Sequence, residues 1–327
     1  MPKSRGNTAR ANAPLRVLSL TGGGYRGLFS AQVLVELCEQ AGRQGPLDHA
    51  IDVFAGTSIG GLMACALAVG VPPRRVLDAI DAHGPSVFPA KRQRTMRRII
   101  FGTLYEANNL AIAVEACLGK TRARMKLKDI HRGLIVPAVN WVDGTTEVFM
   151  SAFLGKAHAS DATLRDVCLA TSAAPTYFPP HEVNGAPMLD GGLAVNNPDV
   201  LAIMEIARRW PERIARIEML SIGTAGADPA RRAKRADQSG ARWAPDIANF
   251  IITVQERTAS SQANRLLGKR YLRVNHVPLA GHAAFENMDI ANQDTREALL
   301  AAGTTTARTA YANNRAFLDR ILNDKRQ

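Results

Sequence analysis

Two segments near the start of the chain repeat one plan: a short apolar stretch, a glycine-rich bend, then a helix-forming run. Arg16 to Thr21 (RVLSLT) suits a buried strand and leads through Gly22-Gly23-Gly24-Tyr25-Arg26-Gly27 into an amphipathic run over Leu28 to Gln40, with Leu34, Leu37 and Cys38 facing inward. Asp52 to Ala55 leads likewise through Gly56-Thr57-Ser58-Ile59-Gly60 into Ile59 to Val69. Strand, turn and helix twice over require parallel strands joined by crossovers, so the spacing predicts an α/β fold with a parallel sheet.

The second bend carries a serine with a glycine two residues to either side. This is a nucleophile elbow: the glycines permit a sharp strand-to-helix turn that holds the Ser58 hydroxyl in a strained, presented pose at a helix N-terminus. An attacking serine needs a proton acceptor and donors for the oxyanion that forms. The first bend supplies side-chain-free amides where a strand gives way to a helix, with Gly23 and Gly24 as donors and Gly22 and Arg26 beside them. Asp190, in Asp190-Gly191-Gly192 after the short strand Met188-Leu189, is the candidate base, and burial against the serine would raise its basicity.

Two other arrangements compete. Gly22-x-Gly24-x-x-Gly27 also matches a dinucleotide fingerprint, but Asp52 lies at the beginning of the second strand, where a ribose-binding acid belongs at its end. A Ser-Asp-His triad would draw on His276 or His282, which follow Asp190 in the chain. Neither sits in a glycine-bounded turn, and His131, His158 and His181 read as surface or loop residues.

The remaining pattern predicts a helix from Pro72-Pro73 through Ala82 and a hairpin of Gly133 to Asn140 with Thr145 to Met150, turning at Asp143-Gly144. Helices follow over Leu164 to Ala170, from Pro198 and over Thr295 to Leu322, and the segment Ile247 to Leu267 helps close the domain. Strands are predicted at Glu218 to Ile222 and Tyr271 to Val277, with an exposed loop over Ala225 to Arg242. Trp243, Phe250 and Ile251 either contact a bound apolar group or pack in the core.

At 327 residues and 46% hydrophobic content, one domain over 15–327 is expected, preceded by a disordered basic arm over 1–14 that lacks the apolar core of a secretory signal. The longest apolar run, Ile59 to Val71, is too short to span a bilayer. Cys38, Cys65, Cys117 and Cys168 form no ligand-like pair and read as reduced core residues, with no metal expected. Net charge is +12, and the segment from Lys91 to Arg132 holds eleven Lys or Arg against Glu106, Glu115 and Asp129. This basic insertion, near 89–132, either attracts an anionic surface or solvates a face.

The ordered set GGGYRG, GTSIG and DGG, with Thr171-Ser172-Ala173-Ala174-Pro175 and Asn196-Asn197-Pro198, resembles the patatin-like phospholipases over roughly Arg16 to Thr224. The resemblance implies a three-layer α/β fold with a mainly parallel central sheet flanked by helices. It also implies metal-free hydrolysis of phospholipid acyl esters through an acyl-enzyme, with Ser58 as nucleophile, Asp190 as base, Gly22, Gly23, Gly24 and Arg26 at the oxyanion hole, and Gly56 and Gly60 shaping the elbow. The set is also similar to compact phospholipase effectors of anti-phage signalling that a cyclic dinucleotide switches on. That likeness implies a cytoplasmic enzyme acting at the inner membrane surface, a cyclic dinucleotide activator but no nucleic-acid polymer, and a homo-oligomer. Arg92, Arg94, Arg97, Arg98, Arg122 and Arg124 would then meet ligand or membrane. An ungated lipid esterase and a non-catalytic module for a phosphorylated ligand remain the alternatives.

Overall fold

The computed structural model describes residues 13–89, 103–155, 161–226, 244–278, 285 and 287–323. Arg92, Arg94, Arg97, Arg98, Trp243, His158, His282, most of the 1–14 arm and most of the loop expected over Ala225 to Arg242 lie outside them.

Strand β1 (Leu15–Leu20) is buried along its whole length, as a strand covered on both faces must be. β2 (Val53–Gly56) and β7 (Ile217–Ile222) flank it in parallel, with Val17 opposite Val53 on one side and Met219 on the other. β3 (Gly133–Asn140) continues the parallel sheet beyond β2, and β8 (Tyr271–Val274) continues it beyond β7. At the β3 end the sheet turns antiparallel: β4 (Thr146–Met150) closes the predicted hairpin, and β5 (His181–Val183) pairs with β6 (Ala186–Asp190). His181, expected on the surface or in a loop, is thus in a strand, with Nε2 3.2 Å from Asp166 Oδ1. β8 stops at Val274, short of the expected Val277.

The site is positioned along β3. β4 pairs with Ile135 through Val139 on one edge. The other edge is shared: β2 holds it from Gly133 to Ile135, and β6 holds it from Ala138 to Asn140, running the opposite way. Between the two lies Pro137, which has no amide to offer either strand. β2 leaves the sheet into the serine bend, and β6 ends on Asp190, opposite Ala138. Two strands therefore meet head to head, and their ends bring Ser58 to Asp190.

Helices cover both faces. α1 (Gly27–Gln40), α2 (Ile59–Ala68), α3 (Pro73–Val87), α4 (Ala107–Leu118), the short α5 (Lys120–Ala123) and α6 (Leu164–Thr171) pack with Leu18, Leu20, Phe54 and Leu220 on one side. α7 (Asp199–Arg209) and α8 (Ala244–Leu267) pack with Leu15, Val17, Val53 and Met219 on the other. α9 (Gln293–Asn323), bent where Asn314 takes φ −134°, lies over α1. That cover changes α1 from the amphipathic helix expected to one buried nearly all round, including Val33, Val35 and Glu36. α3 runs to Val87 rather than Ala82, carrying Pro85 in its last turn. All four cysteines are buried free thiols.

Candidate active site

Ser58 adopts φ 54° and ψ −124°, a conformation L-residues avoid at a cost of about 1–3 kcal/mol. Close packing holds it there. A Cβ on Gly56 would stand 2.1 Å from the Gly60 carbonyl oxygen, and one on Gly60 would stand 2.3 Å from that of Leu20. The bend is also tied by its neighbours: Thr57 Oγ1 donates to the Val195 carbonyl at 2.7 Å, and the Ser58 amide donates to Thr171 Oγ1 at 3.0 Å. Thr171 in turn donates to the carbonyl of Pro137 at 2.6 Å, which links the elbow to the break between β2 and β6. Sequence reasoning missed this role, although Thr171 stands in one of the motifs it quotes.

Ser58 Oγ donates to Asp190 Oδ2 at 2.7 Å, and the Gly192 amide donates to Asp190 Oδ1 at 2.7 Å. Asp190 is buried, and burial pushes its carboxyl up to about 6, against the pull of the hydrogen bonds from Gly192 and Ser58. A carboxylate so placed is a stronger base than an exposed one yet ionised at neutral pH. His276 is elsewhere. Its ring lies between Phe29 and Phe285, at 6.3 and 5.3 Å between centroids, and burial lowers its pKa. His83, which the sequence did not single out, lines the cavity beside Ser58, but neither Ser58 nor Asp190 bonds to it among the described residues.

The glycine loop divides its labour. Gly22 is an anchor: its amide donates to the Asn196 carbonyl at 3.0 Å, and its carbonyl accepts from Thr224 Oγ1 at 3.0 Å. The Arg26 guanidinium, expected at the oxyanion hole, instead donates to the Phe285 carbonyl at 2.9 Å and does not line the cavity. Gly23 and Gly24 do line it, and among the described residues no acceptor takes their amides. Gly24 needs to be glycine, since its φ is +56° and a Cβ would meet the Met288 carbonyl oxygen at 2.4 Å.

Ser58, Asp190, Gly23 and Gly24 form the polar end of a cavity of 460 Å³. Its remaining wall is mostly apolar, with Leu62, Ile80, Val87, Phe88, Leu110 and Phe178 among the lining residues, although His83, Ser172, Thr176 and Asn196 line it too. Such a shape suits a long aliphatic group with one polar, reactive end.

Among the described residues of the basic segment, part of the charge is already engaged. Lys126 and Lys128 both bond to Asp161, at 3.0 and 2.9 Å, and hold its carboxyl below the usual range. Arg122 spends its Nε on the Val69 carbonyl at 3.0 Å, whereas Arg124 is exposed, and neither lines the cavity.

An α/β core with a serine elbow opening on an apolar cavity defines a class of hydrolases acting on acyl groups. The chain belongs to the patatin-like phospholipase family, whose model matches residues 18–203. It is 30% identical over 267 residues to a cGAMP-activated phospholipase of Pseudomonas aeruginosa, covering 79% of this chain and 77% of that protein. It is 28% identical to a protein of the same name from Escherichia coli, covering 92% and 90% of the two chains. Patatin-like protein 2 of Arabidopsis thaliana is 27% identical, covering 88% and 81%. The protein is a lipid hydrolase of this family, and the matched stretch holds the glycine loop, Ser58 and Asp190.

Proposed function

We propose that the protein cleaves fatty-acyl esters of membrane phospholipids with Ser58 as nucleophile and Asp190 as general base. The observation that carries this reading is the 2.7 Å hydrogen bond from Ser58 Oγ to Asp190 Oδ2 at the polar end of the apolar cavity. Ser58 Oγ attacks the ester carbonyl carbon as its proton passes to Asp190. The oxyanion is held by the amides of Gly23 and Gly24, each such donor contributing roughly 3 kcal/mol in enzymes generally. Collapse expels the glycerolipid alkoxide, which takes the proton from Asp190 and leaves an acyl-Ser58 ester. A water that gives its proton to Asp190 then attacks that ester, and its collapse frees the fatty acid and returns the proton to Ser58. No step calls on a metal.

The names of the Pseudomonas and Escherichia relatives support a further element: a cyclic dinucleotide turns the enzyme on. The resemblance read from the motifs supports a role in anti-phage defence, through degradation of membrane lipid. In this reading it works in the cytoplasm at the inner membrane surface, as a homo-oligomer. The test is hydrolysis of mixed bacterial phospholipids with and without a panel of cyclic dinucleotides. Wild type should release fatty acid, more so with the right nucleotide, whereas Ser58→Ala and Asp190→Ala should not. Ser58→Ala should also lose labelling by a fluorophosphonate. Equal rates with and without every nucleotide would remove the gating and leave the hydrolase; no labelling of wild type under any condition would remove both.

A further inference from the structure

The cavity that holds Ser58 at its polar end takes much of its wall from three helices. From α2 it takes Ile59 and Leu62, about one turn apart, but neither Cys65 nor Ala66 of the next turn. From α4 it takes Leu110, Ala113 and Cys117, which share one face of that helix. Leu110 and Ala113 are half-buried, whereas Cys117 is only 4% exposed, so the space closes as it follows that face.

Two hydrogen bonds fix the direction of α4. Asn109 Nδ2, in its first turn, donates at 3.0 Å to the carbonyl of Ser86, near the end of α3. Beyond its last turn, Arg122 Nε donates to the Val69 carbonyl, which follows α2 and precedes α3. α4 therefore runs against α3, and Cys117 lies toward Ala79 and Ile80, the earliest α3 residues of the cavity wall. Cys117 also interacts with Cys65, seven residues past Ser58 and so about 10 Å along α2. Cys65 and its partner Cys168 are fully buried and do not line the cavity. Burial pushes the Cys117 thiol up to about 12, so it stays protonated and serves as a small apolar wall.

We propose that Cys117 closes the deep end of an acyl channel and so sets the longest fatty-acyl chain that can lie straight from Ser58. The proposal rests on the phospholipase reading of the site. In that reading the ester carbonyl sits between Ser58 Oγ and the Gly23 and Gly24 amides, so its acyl chain starts at the polar end of the cavity. From there the path past Leu62 runs about 10 Å before Cys117 and Ile80 meet it. Each methylene that fits adds apolar burial, and each one beyond the wall must displace packed side chains.

The test measures kcat/KM of the full-length protein on para-nitrophenyl esters of saturated acids from butyrate to palmitate. The chain length at which kcat/KM peaks should shorten with Cys117→Met and lengthen with Cys117→Ala. Ala113→Leu, one turn shallower on the same face, should shorten it further than Cys117→Met does. Esters longer than the new limit should fall about tenfold relative to butyrate. Ala116→Phe, at an exposed position of α4 outside the cavity wall, should leave the profile unchanged. An unmoved peak in Cys117→Met and Cys117→Ala, or an equal loss at every chain length, overturns the proposal. Thermal melting checks each fold, and if Cys117→Met fails to fold, Cys117→Ala and Ala113→Leu decide the question by the same criterion. Binding separates the channel from the chemistry: Ser58→Ala protein, titrated with the same series of fatty acids against a fluorescent one, should show the same length limit and the same shifts. If wild type turns over no ester while that limit and its shifts hold, the hydrolase reading fails and the channel stands. A binding series without a length limit overturns the channel and leaves the hydrolase.

Discussion

Replacing Asp190 with asparagine should inactivate the enzyme and stabilise its fold, with a gain that depends on pH. The carboxyl is buried and raised from an ordinary 3.8 to about 6. Because the folded state holds this proton more tightly than the unfolded chain, the group's contribution to stability falls as pH rises from about 4 through about 6. At ~1.36 kcal/mol per pKa unit, the full loss above that window is about 3 kcal/mol. About 1 kcal/mol of it has developed by pH 4.5, which leaves about 2 kcal/mol to appear between pH 4.5 and 7.5. Asparagine keeps the shape and an acceptor for the Gly192 amide but does not ionise. Urea unfolding of wild type and Asp190→Asn across that range, read as the difference at each pH, cancels every other titrating group. The difference should widen in favour of the variant by about 2 kcal/mol as pH rises. A constant difference, or one that narrows, would refute burial as the source of the raised carboxyl.

Kinetics should report the same group. With a soluble ester, kcat/KM should climb as pH rises through about 6, where Asp190 ionises, and level off above it; a limb centred near 4 would contradict a buried base. Thr171→Val should leave the Ser58 amide and the Pro137 carbonyl without their partner, lowering stability by about 2–4 kcal/mol in urea titrations. It should also reduce kcat about tenfold through loss of elbow alignment, and Thr171→Ser should recover most of both. Loss of kcat without loss of stability would show that Thr171 does not brace the bend.

What was legible in the sequence was what sterics decide locally. The serine elbow and the glycine loop announce themselves because their backbones tolerate few side chains at Gly56, Gly60 and Gly24. The roles within the loop were not legible, because they depend on acceptors far along the chain. Arg26 is taken by a carbonyl 259 positions away, and Gly22 is held by Asn196, 174 positions away. The β5 and β6 hairpin did carry a signal, Asn184-Gly185, both at positive φ. Its strands are short and Pro187 interrupts the pattern, so only Met188-Leu189 stood out. The burial of α1 was hidden because α9, near the end of the chain, supplies its cover, and the charge on Lys126 and Lys128 looked unspent because Asp161 lies beyond the basic window.

Because β2 and β6 abut along one edge of β3, the spacing between nucleophile and base is set by a ruler rather than by the 132 positions that separate them in sequence. Helices and loops in that interval can lengthen or shorten without detuning the reaction, provided β3 keeps both pairings and α6 keeps Thr171 against the bend. A slip of a single residue in β6 would do what no distant insertion can: it would turn the carboxylate to the opposite side of the sheet and leave the serine with nothing to take its proton.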